Sequence, residues 1–471
     1  MTQRQAIDVG QIVDDQKITK FIVMIVSLSF LVMMSDGFDL QTAALAGPGL
    51  VQAWGIERSA LATMFSASLF GMMVGAPVLS FFGDRYGRKP AIIASALICG
   101  LTTLSGAWAT NLDQLIVARF MTGIGLGGLM PIVIAYNAEF APKRVRATLL
   151  FFVNVGLTVG SILPSAVTAH LGVNYNWQTL FVVGGIVPLV MAVVLFLFLP
   201  ESVKFLAVQK KAPQQIARLL TRMQPGLVIA PNAEFVLVQE AAKKGGFPVK
   251  RLFTNGLAYI TLAIWLLSII NLFANYFVKN WTPVLFRDAG LSVEQMGIAT
   301  GIYDFGGIFG ALLMSRLLDK YGAVPLFVYF ALSAFFMAAV GTPGLPVPVL
   351  DLCVALTGFC LVGNQLGLLA TAGIIYPTEI RSNGGGWATM LGRVGGILGT
   401  TMGAYLIAAH FTMQEMFLTP AIPLGIGAIT AFALMLMFRQ RFGRHCLDDK
   451  RVDQLLTIEP VVALSAVGLP E

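Results

Sequence analysis

The chain has 471 residues, of which 56% are hydrophobic and only 12% are charged, and it contains 49 glycines. Soluble domains carry about 25% charged residues, so this composition excludes a soluble enzyme, a disulfide-rich scaffold and a disordered protein. The apolar residues stand in long uninterrupted runs, which are typical of a protein that crosses a membrane several times.

A transmembrane helix requires about 20 consecutive, mostly apolar residues, and the sequence predicts twelve such spans. They lie at residues 20–42, 58–82, 90–109, 113–137, 147–170, 178–199, 253–278, 293–317, 323–342, 348–375, 385–408 and 416–438. Transmembrane β-strands are shorter and alternate in polarity, so we expect an all-α polytopic membrane protein. The predicted divisions are a cytoplasmic N-terminus (1–19), a six-helix bundle (20–199), a central cytoplasmic loop (200–252), a second six-helix bundle (253–438) and a cytoplasmic tail (439–471).

The net charge of +7 alone could indicate a nucleic-acid partner, but the positions of the basic residues argue against one. Most of the 31 Lys and Arg residues lie in the N-terminus, in the loops that join even to odd spans, or in the tail. Arg58, Lys279 and Arg287 fall in loops assigned to the opposite side. This asymmetry follows the positive-inside rule with both termini in the cytoplasm. We therefore expect a bacterial-type inner (plasma) membrane as the location, the lipid bilayer as a partner, and no nucleic acid.

Similar residues recur in the two halves at a constant offset of 235 positions. The matched sets are Asp84-Arg85-Tyr86-Gly87 with Asp319-Lys320-Tyr321-Gly322; Pro142 and Arg146 with Pro377 and Arg381; Phe70, Gly71, Gly75 and Ala76 with Phe305, Gly306, Gly310 and Ala311; and Val159, Gly160, Ile162 and Leu163 with Val394, Gly395, Ile397 and Leu398. Two six-helix halves in parallel repeat are typical of alternating-access carriers, which bind substrate near the membrane midplane.

Among the ionisable residues of the predicted spans, we single out Asp36, Asp39, Arg119, Asp304 and Arg393. A charge at mid-span costs about 2.5–3.5 kcal/mol even on the mildest insertion scale, so each is a candidate functional residue. With a rise of about 1.5 Å per residue, the two span 1 acids and Arg119 all fall in the outer thirds of their spans and can meet. The alternatives are a paired structural ion, or a residue near a helix end whose charge reaches the interface.

The internal repeat separates two of these charges from the shared scaffold. Asp304 aligns with Leu69, and Arg393 aligns with Thr158. Because the equivalent positions in the first half carry no charge, the fold does not require these two residues. We therefore interpret both as specialised for transport.

The turn between spans 2 and 3 reads Gly-Asp-Arg-Tyr-Gly-Arg-Lys-Pro over residues 83–90. It resembles the loop 2–3 signature of the major facilitator superfamily, with a degenerate copy around Asp319. Asp84 can accept from free N–H groups at a helix N-terminus, and Arg88 can pair with a carboxylate, which would latch the cytoplasmic side shut. A plain basic turn is the alternative. The predicted gating residues are Asp84, Arg85, Arg88, Glu139, Arg146, Asp319, Glu379 and Arg381.

The span 1 sequence Asp36-Gly37-Phe38-Asp39 narrows the resemblance to the aromatic acid:proton symporters of that superfamily. Other matching features are Arg119 with Gly123, Gly125, Gly127 and Gly128 in span 4, Glu139 at its end, Pro200-Glu201-Ser202 after span 6, and Leu391-Gly392-Arg393 in span 11. The resemblance covers all twelve spans. Ala323-Val324 follows Asp319 where some members have a histidine, and Asp304 is not part of the family pattern.

The resemblance implies uptake of an aromatic carboxylate such as a hydroxybenzoate together with a proton. Asp36 or Asp39 would bind the proton beside Arg119, and Arg393 would bind the substrate carboxylate through its planar two-pronged donor. Asp304 would relay the proton or displace the substrate from Arg393. The predicted proton-coupling residues are Asp36, Asp39, Arg119 and Asp304. The predicted substrate-binding residues are Arg393, Phe38, Tyr303 and Phe273, the three aromatic side chains walling the ring.

The sequence also bears on other functional classes. A carrier for another organic acid or a sugar, or an exporter of drugs or metabolites, would keep the fold and change the substrate. The GxGxxG pattern of residues 123–128 lies within a span and follows no strand, so it is not a dinucleotide site. No Walker motif occurs, and no cysteine pair has metal-site spacing. We expect neither enzyme activity nor a cofactor or metal, and a monomer would suffice.

Overall fold

The computed structural model describes residues 6–171, 176–209, 212–227, 229, 233–237, 249–254, 257–376 and 381–442. Within this part of the chain, twelve long helices correspond to the predicted spans. They are α2 (Lys20–Trp54), α3 (Leu61–Tyr86), α4 (Arg88–Gly106), α5 (Leu112–Phe140), α6 (Arg146–Leu171), α7 (Trp177–Phe198), α10 (Ala258–Asp288), α11 (Val293–Tyr321), α12 (Val324–Val340), α13 (Val347–Ile375), α14 (Arg381–Ala408) and α15 (Met413–Phe442). Ten helices in the described ranges are long and apolar enough to cross a membrane, and α12 is a shorter apolar helix. The expected all-helical fold is confirmed.

Several helices extend beyond the spans predicted from hydropathy. Helix α2 begins after Thr19, whose side chain accepts a hydrogen bond from the Ile22 N–H, and ends at Gly55, which has a left-handed φ of 61°. Its 35 residues span about 52 Å, whereas the hydrocarbon core is about 30 Å thick. Helix α10 likewise continues to Asp288 instead of ending near residue 278. The apolar composition locates the membrane crossing, and capping residues locate the helix ends.

The internal repeat is visible as contacts between helix backbones. At each of eight glycines, a Cβ atom would lie 1.8–2.3 Å from a carbonyl oxygen of the neighbouring helix, so only glycine permits the crossing. The contacts pair at the 235-residue offset: Gly71–Phe120 with Gly306–Ala355, Gly75–Ile124 with Gly310–Phe359, Gly123–Ser68 with Gly358–Tyr303, and Gly160–Met34 with Gly395–Ile269. Small residues that allow close backbone approach are a general device of membrane helix packing. The two halves therefore repeat the same helix crossings.

The N-terminal segment and the central loop fold together at one end of the helices. Strand β1 (Ala6–Asp8) pairs in parallel with β2 (Glu234–Val236), and α1 (Val9–Asp15) lies in a common apolar cluster with α8 (Val203–Val208) and α9 (Pro213–Met223). The buried Gln16 amide donates to the carbonyl oxygen of Phe140 at 2.7 Å. The described parts of these segments, predicted as a cytoplasmic N-terminus and a central cytoplasmic loop, form a small ordered layer.

The chain divides by compactness into two units. Unit 1 comprises Met1–Gly245 and Asn280–Gly301, and unit 2 comprises Gly246–Lys279 and Ile302–Glu471. Unit 1 contains α2–α7 together with the end of α10 and the beginning of α11. Unit 2 contains the rest of α10 and α11 with α12–α15. The sequence predicts that residues 200–252 separate the two six-helix bundles, and this boundary stays a prediction.

Within unit 1, the end of α10 and the start of α11 pack closely on the first six spans. The Trp281 ring meets the Phe65 ring edge to face, with centroids 5.7 Å apart. Arg58 Nη2 lies 2.8 Å from Asp288 Oδ1 in a partly exposed ion pair. At Gly297, a Cβ atom would lie 2.8 Å from the Ser165 carbonyl oxygen. Aromatic, ionic and backbone contacts thus all hold this short segment in unit 1.

The glycine crossings predict a sharp difference between two glycine-to-alanine substitutions in unit 2. In Gly310→Ala the new Cβ would lie 1.8 Å from the Phe359 carbonyl oxygen, whereas at Gly425 nothing lies within 4 Å. We expect Gly310→Ala to destabilise the protein by about 1–3 kcal/mol through overpacking. Gly425→Ala should be neutral or stabilising by up to about 1 kcal/mol. Thermal unfolding in detergent measures both, and equal melting temperatures for the two variants would contradict the close crossing.

Candidate functional site

Unit 1 contains a fully buried ion pair between α2 and α5. Arg119 Nη1 lies 2.8 Å from Asp39 Oδ2, and the two side chains are 3% and 0% exposed. The Thr103 hydroxyl donates to the other carboxylate oxygen at 2.5 Å, and Arg119 Nη2 donates to the Ser68 hydroxyl at 3.4 Å. The sequence-based expectation that Asp39 and Arg119 meet is confirmed. Asp39 is therefore enclosed by protein, with partners on α4 and α5.

Asp36 lies one helical turn before Asp39 and is 2% exposed. Between the two acids, a Cβ atom at Gly37 would lie 1.9 Å from the Leu157 carbonyl oxygen. Glycine at this position lets α2 lie directly on α6. The spacing of the Asp-Gly-Phe-Asp sequence therefore serves two purposes: it places two acids on neighbouring turns and leaves the backbone contact between them. The Phe38 ring is buried and packs against Gly184 of α7.

Unit 2 contains a second ion pair inside the helices. Lys279 Nζ on α10 lies 2.7 Å from Asp304 Oδ1 on α11, and the side chains are 21% and 1% exposed. The assignment of Lys279 to an external loop is therefore wrong, because α10 runs past it to Asp288. The apolar run from Trp281 to Phe286 is the signal in the sequence that the helix continues. The sequence left open that Asp304 is one member of an ion pair, and the structure places it in one.

Asp304 is positioned by the crossing of α11 with α13. A Cβ atom at Gly358 would lie 2.0 Å from the carbonyl oxygen of Tyr303, the residue before Asp304. The Tyr303 side chain is buried, and its ring centroid lies 5.9 Å from Lys279 Nζ. In the described part of the chain, the Tyr303 hydroxyl and Asp304 Oδ2 are buried without a hydrogen-bond partner. Polar atoms in this state are available to a ligand or a proton.

Arg393 lies near the middle of α14 and is half-buried. The adjacent Gly395 would place a Cβ atom 2.1 Å from the Ile269 carbonyl oxygen, and Gly399 would place one 2.1 Å from that of Phe273. The α14 backbone next to Arg393 therefore packs directly on α10, at the same helix crossing where Phe273 lies. Of the three aromatic residues expected to wall the substrate, Phe273 is half-buried, and Phe38 and Tyr303 lie inside helix packing.

The loop 2–3 motif forms a charged cluster at the start of α4. Arg88 Nε lies 3.1 Å from Glu139 Oε1, and Arg88 Nη1 lies 2.6 Å from Asp84 Oδ1. The acid at the helix N-terminus is Glu201, which accepts from the Arg88 N–H at 2.9 Å and from the Lys89 N–H at 3.3 Å. Asp84 thus pairs with Arg88 instead of capping the helix.

Gly87 makes room for Glu201 at this terminus. It has a φ of 121°, and a Cβ atom there would lie 2.2 Å from Glu201 Oε2. Burial raises the pKa of the Glu201 carboxyl above its usual value, and this effect outweighs the backbone hydrogen bonds from Ser202, Lys89 and Arg88. The carboxylate also faces a helix N-terminus, where negative charge is favoured.

The remaining predicted gating residues divide between the described and undescribed parts of the chain. Arg146 forms an ion pair with Asp14 of the N-terminal segment, and its Nε donates to the Ala141 carbonyl oxygen at 3.2 Å. The Arg85 guanidinium lies 5.8 Å from the Tyr86 ring centroid. The side chains of Asp319 and Arg381, and all of Glu379, lie outside the described residues. No group of metal-binding side chains occurs in the part of the chain that was described.

The buried pair Asp39–Arg119 predicts a large cost for removing one partner. In Arg119→Gln an uncompensated carboxylate would stay buried, and we expect a loss of about 3–5 kcal/mol. The double variant Asp39→Asn/Arg119→Gln should recover most of that stability. Arg58→Gln, which breaks a partly exposed pair, serves as the control and should change stability by about 0–1 kcal/mol. Thermal unfolding in detergent tests the series; a single Arg119→Gln variant as stable as the parent protein would refute the argument.

The comparisons with known proteins agree with this architecture. The family model described as Major Facilitator Superfamily matches residues 28–400 and 264–463. The chain is 32% identical to the 4-hydroxybenzoate transporter PcaK of Pseudomonas putida, over 90% of this chain and 95% of the relative. It is 30% identical to the benzoate transport protein of Acinetobacter baylyi, over 97% of this chain and 96% of the relative.

The fold also resembles solved transporters. The crystal structure of a D-xylose-proton symporter superposes with a TM-score of 0.69 at 19% identity, covering 88% of this chain and 97% of that one. At that identity the likeness concerns the fold alone. The family match and the identity to these relatives, which are transporters and not enzymes, show that this chain belongs to the major facilitator superfamily.

Proposed function

We propose that this protein takes up an aromatic carboxylate, such as a hydroxybenzoate, together with a proton by alternating access. The observation that carries the proposal is a set of buried charges within the helices of a carrier fold. Membrane helices retain such charges at a cost of several kcal/mol. The names of the relatives supply the substrate class, since they include transporters of 4-hydroxybenzoate and benzoate.

Arg393 is the residue we assign to the substrate carboxylate. It lies near the middle of α14, is half-buried, and is held against α10 by the backbone contacts of its neighbours. A guanidinium binds a carboxylate through two parallel hydrogen bonds, which suits a planar aromatic acid. The equivalent residue of the first half is Thr158, so the repeat itself does not require a cation here.

Asp36, Asp39 and Arg119 are the residues we assign to proton coupling in unit 1. Asp39 and Arg119 form a neutral buried pair, with Asp36 one helical turn away. A proton bound by either acid would change the charge of this buried cluster, which is the property that proton coupling needs.

The location and gating follow from the same scheme. We place both termini in the cytoplasm of a bacterial inner membrane, on the basis of the distribution of Lys and Arg. The Arg88–Glu139 pair and the Glu201 contacts lie within unit 1, where they would stabilise the cytoplasmic ends of α3, α4 and α5 during transport. A monomer contains every residue in the scheme.

Two other functions remain as comparisons. A sugar carrier shares the fold, as the xylose symporter shows, but a neutral sugar gives Arg393 no anion to bind. An exporter of apolar drugs would have no use for this cation either. A carrier for an aliphatic organic acid fits the charges as well as an aromatic one does, so the aromatic class depends on the relatives.

Uptake into proteoliposomes tests the proposal directly. We expect radiolabelled 4-hydroxybenzoate to accumulate under an inward proton gradient, a protonophore to abolish accumulation, and unlabelled benzoates to compete. Arg393→Gln should reduce uptake about tenfold or more, because a charge-assisted pair is lost. The matched control is Arg287→Gln, since Arg287 lies at the exposed end of α10 and donates to the Leu291 carbonyl oxygen at 3.1 Å.

Two results would contradict the proposal. If a folded protein took up no member of a benzoate panel, the aromatic substrate class would be wrong. If accumulation persisted with a protonophore present, the proton coupling would be wrong.

A further inference from the structure

The proposed function assigns no role to Lys279, which pairs with Asp304, a residue that the sequence predicts to take part in proton coupling. Lys279 Nζ and Asp304 Oδ1 are 2.7 Å apart, and the equivalent positions of the first half are Ala44 and Leu69. The pair is therefore an addition to the repeat and not part of it. A buried ion pair is by itself weak evidence of stabilisation, so stability alone does not explain this addition.

The two partners differ in accessibility. The Lys279 side chain is 21% exposed, whereas Asp304 is 1% exposed. An anion arriving from the accessible side would meet the ammonium first and the carboxylate behind it. An ammonium has three N–H donors, so Lys279 can contact an incoming carboxylate before it releases Asp304.

The charge balance of the pair links an anion to a proton. Lys279 and Asp304 together carry no net charge. An added carboxylate would leave one uncompensated negative charge inside the helices, which is strongly unfavourable there. A proton on Asp304 removes that charge, so the anion and the proton enter this cluster together or not at all.

We propose that Lys279 is a second site for the substrate carboxylate besides Arg393, one at which the carboxylate exchanges with Asp304. The substrate carboxylate replaces Asp304 as the partner of Lys279, and Asp304 takes up one proton at Oδ2 in the same step. Lys279 stays an ammonium throughout, so the cluster is neutral before and after, and no electrons move. The proposal rests on the proposed function, because it names the place where its anion and its proton meet.

The surroundings of the pair support this exchange. The Tyr303 ring lies beside Lys279, and the Tyr303 hydroxyl is buried without a hydrogen-bond partner in the described residues. Asp304 and Cys360 both lie near Tyr303. Tyrosine and cysteine side chains are ordinarily neutral at pH 7, so Lys279 and Asp304 supply the charge that an anion would experience. A carboxylate on Lys279 would also bring an acceptor near the Tyr303 side chain.

The experiment measures binding and proton uptake together in purified full-length protein. Labelled 4-hydroxybenzoate is titrated at pH 6 and pH 8, and a pH-indicator dye reports protons taken up per anion bound. We expect Asp304→Asn, which mimics the protonated acid, to take up fewer protons and to bind almost equally at the two pH values. It should exchange substrate across proteoliposomes without accumulating it. Lys279→Gln should bind about tenfold more weakly or worse.

The double variant Lys279→Gln/Asp304→Asn keeps the test decisive if a single variant fails to fold, because it leaves no unpaired charge. We expect it to bind weakly, with a reduced pH dependence. Binding, proton uptake and accumulation like those of the parent protein would show a purely structural pair and overturn the proposal. The matched control is Arg58→Gln/Asp288→Asn, which removes an ion pair of similar length, 2.8 Å, and should behave like the parent protein.

The parent protein separates this proposal from the proposed function. If it binds no benzoate at all, the proposed function fails. If it binds a benzoate with proton uptake that Asp304→Asn leaves unchanged, only the exchange at Lys279 fails.

Discussion

A charge inside a membrane-spanning helix must be neutralised nearby, and the packing of this protein is organised by that constraint. Asp39 and Arg119 connect α2 to α5, and Lys279 and Asp304 connect α10 to α11. Each pair lies within one compact unit. The low dielectric that makes an isolated charge costly also strengthens the attraction between partners. Each ion pair therefore holds its two helices together, and removing one partner costs stability.

Close helix crossings make these pairs possible. Side chains on two helices can pair only if the backbones are held at a suitable separation, and the glycine contacts hold them there. The Tyr303–Gly358 contact directly precedes Asp304 in the chain, and the Gly37–Leu157 contact lies between the two acids of α2. The glycine crossings recur in both halves at the 235-residue offset, whereas the charged residues do not. The fold thus supplies a symmetric frame on which each half carries a different charged pair.

The fold was predictable because hydropathy and the repeat both depend on local sequence. The meeting of Asp39 and Arg119 was also predicted, but its depth argument was wrong for Asp39, because α2 continues to Trp54 and not to residue 42. Lys279 was assigned wrongly because a hydropathy window ends a span at the first charge, whereas the helix continues through it. The role of Glu201 at the start of α4 required a contact between distant parts of the chain. The local sequence cannot choose between that acid and the nearer Asp84.

The separation of the two ion pairs bears on how an anion and a proton become coupled. Because each unit neutralises its own buried lysine or arginine, no buried cation of either pair waits uncompensated for the substrate. In the proposed scheme, an arriving carboxylate would therefore bind Arg393 or displace an acid from its partner. Displacement leaves that acid without a cation in a low-dielectric surrounding, where its neutral form is strongly preferred. In the exchange proposed at Lys279, a proton would then accompany the anion, and coupling would follow from charge balance at the paired site.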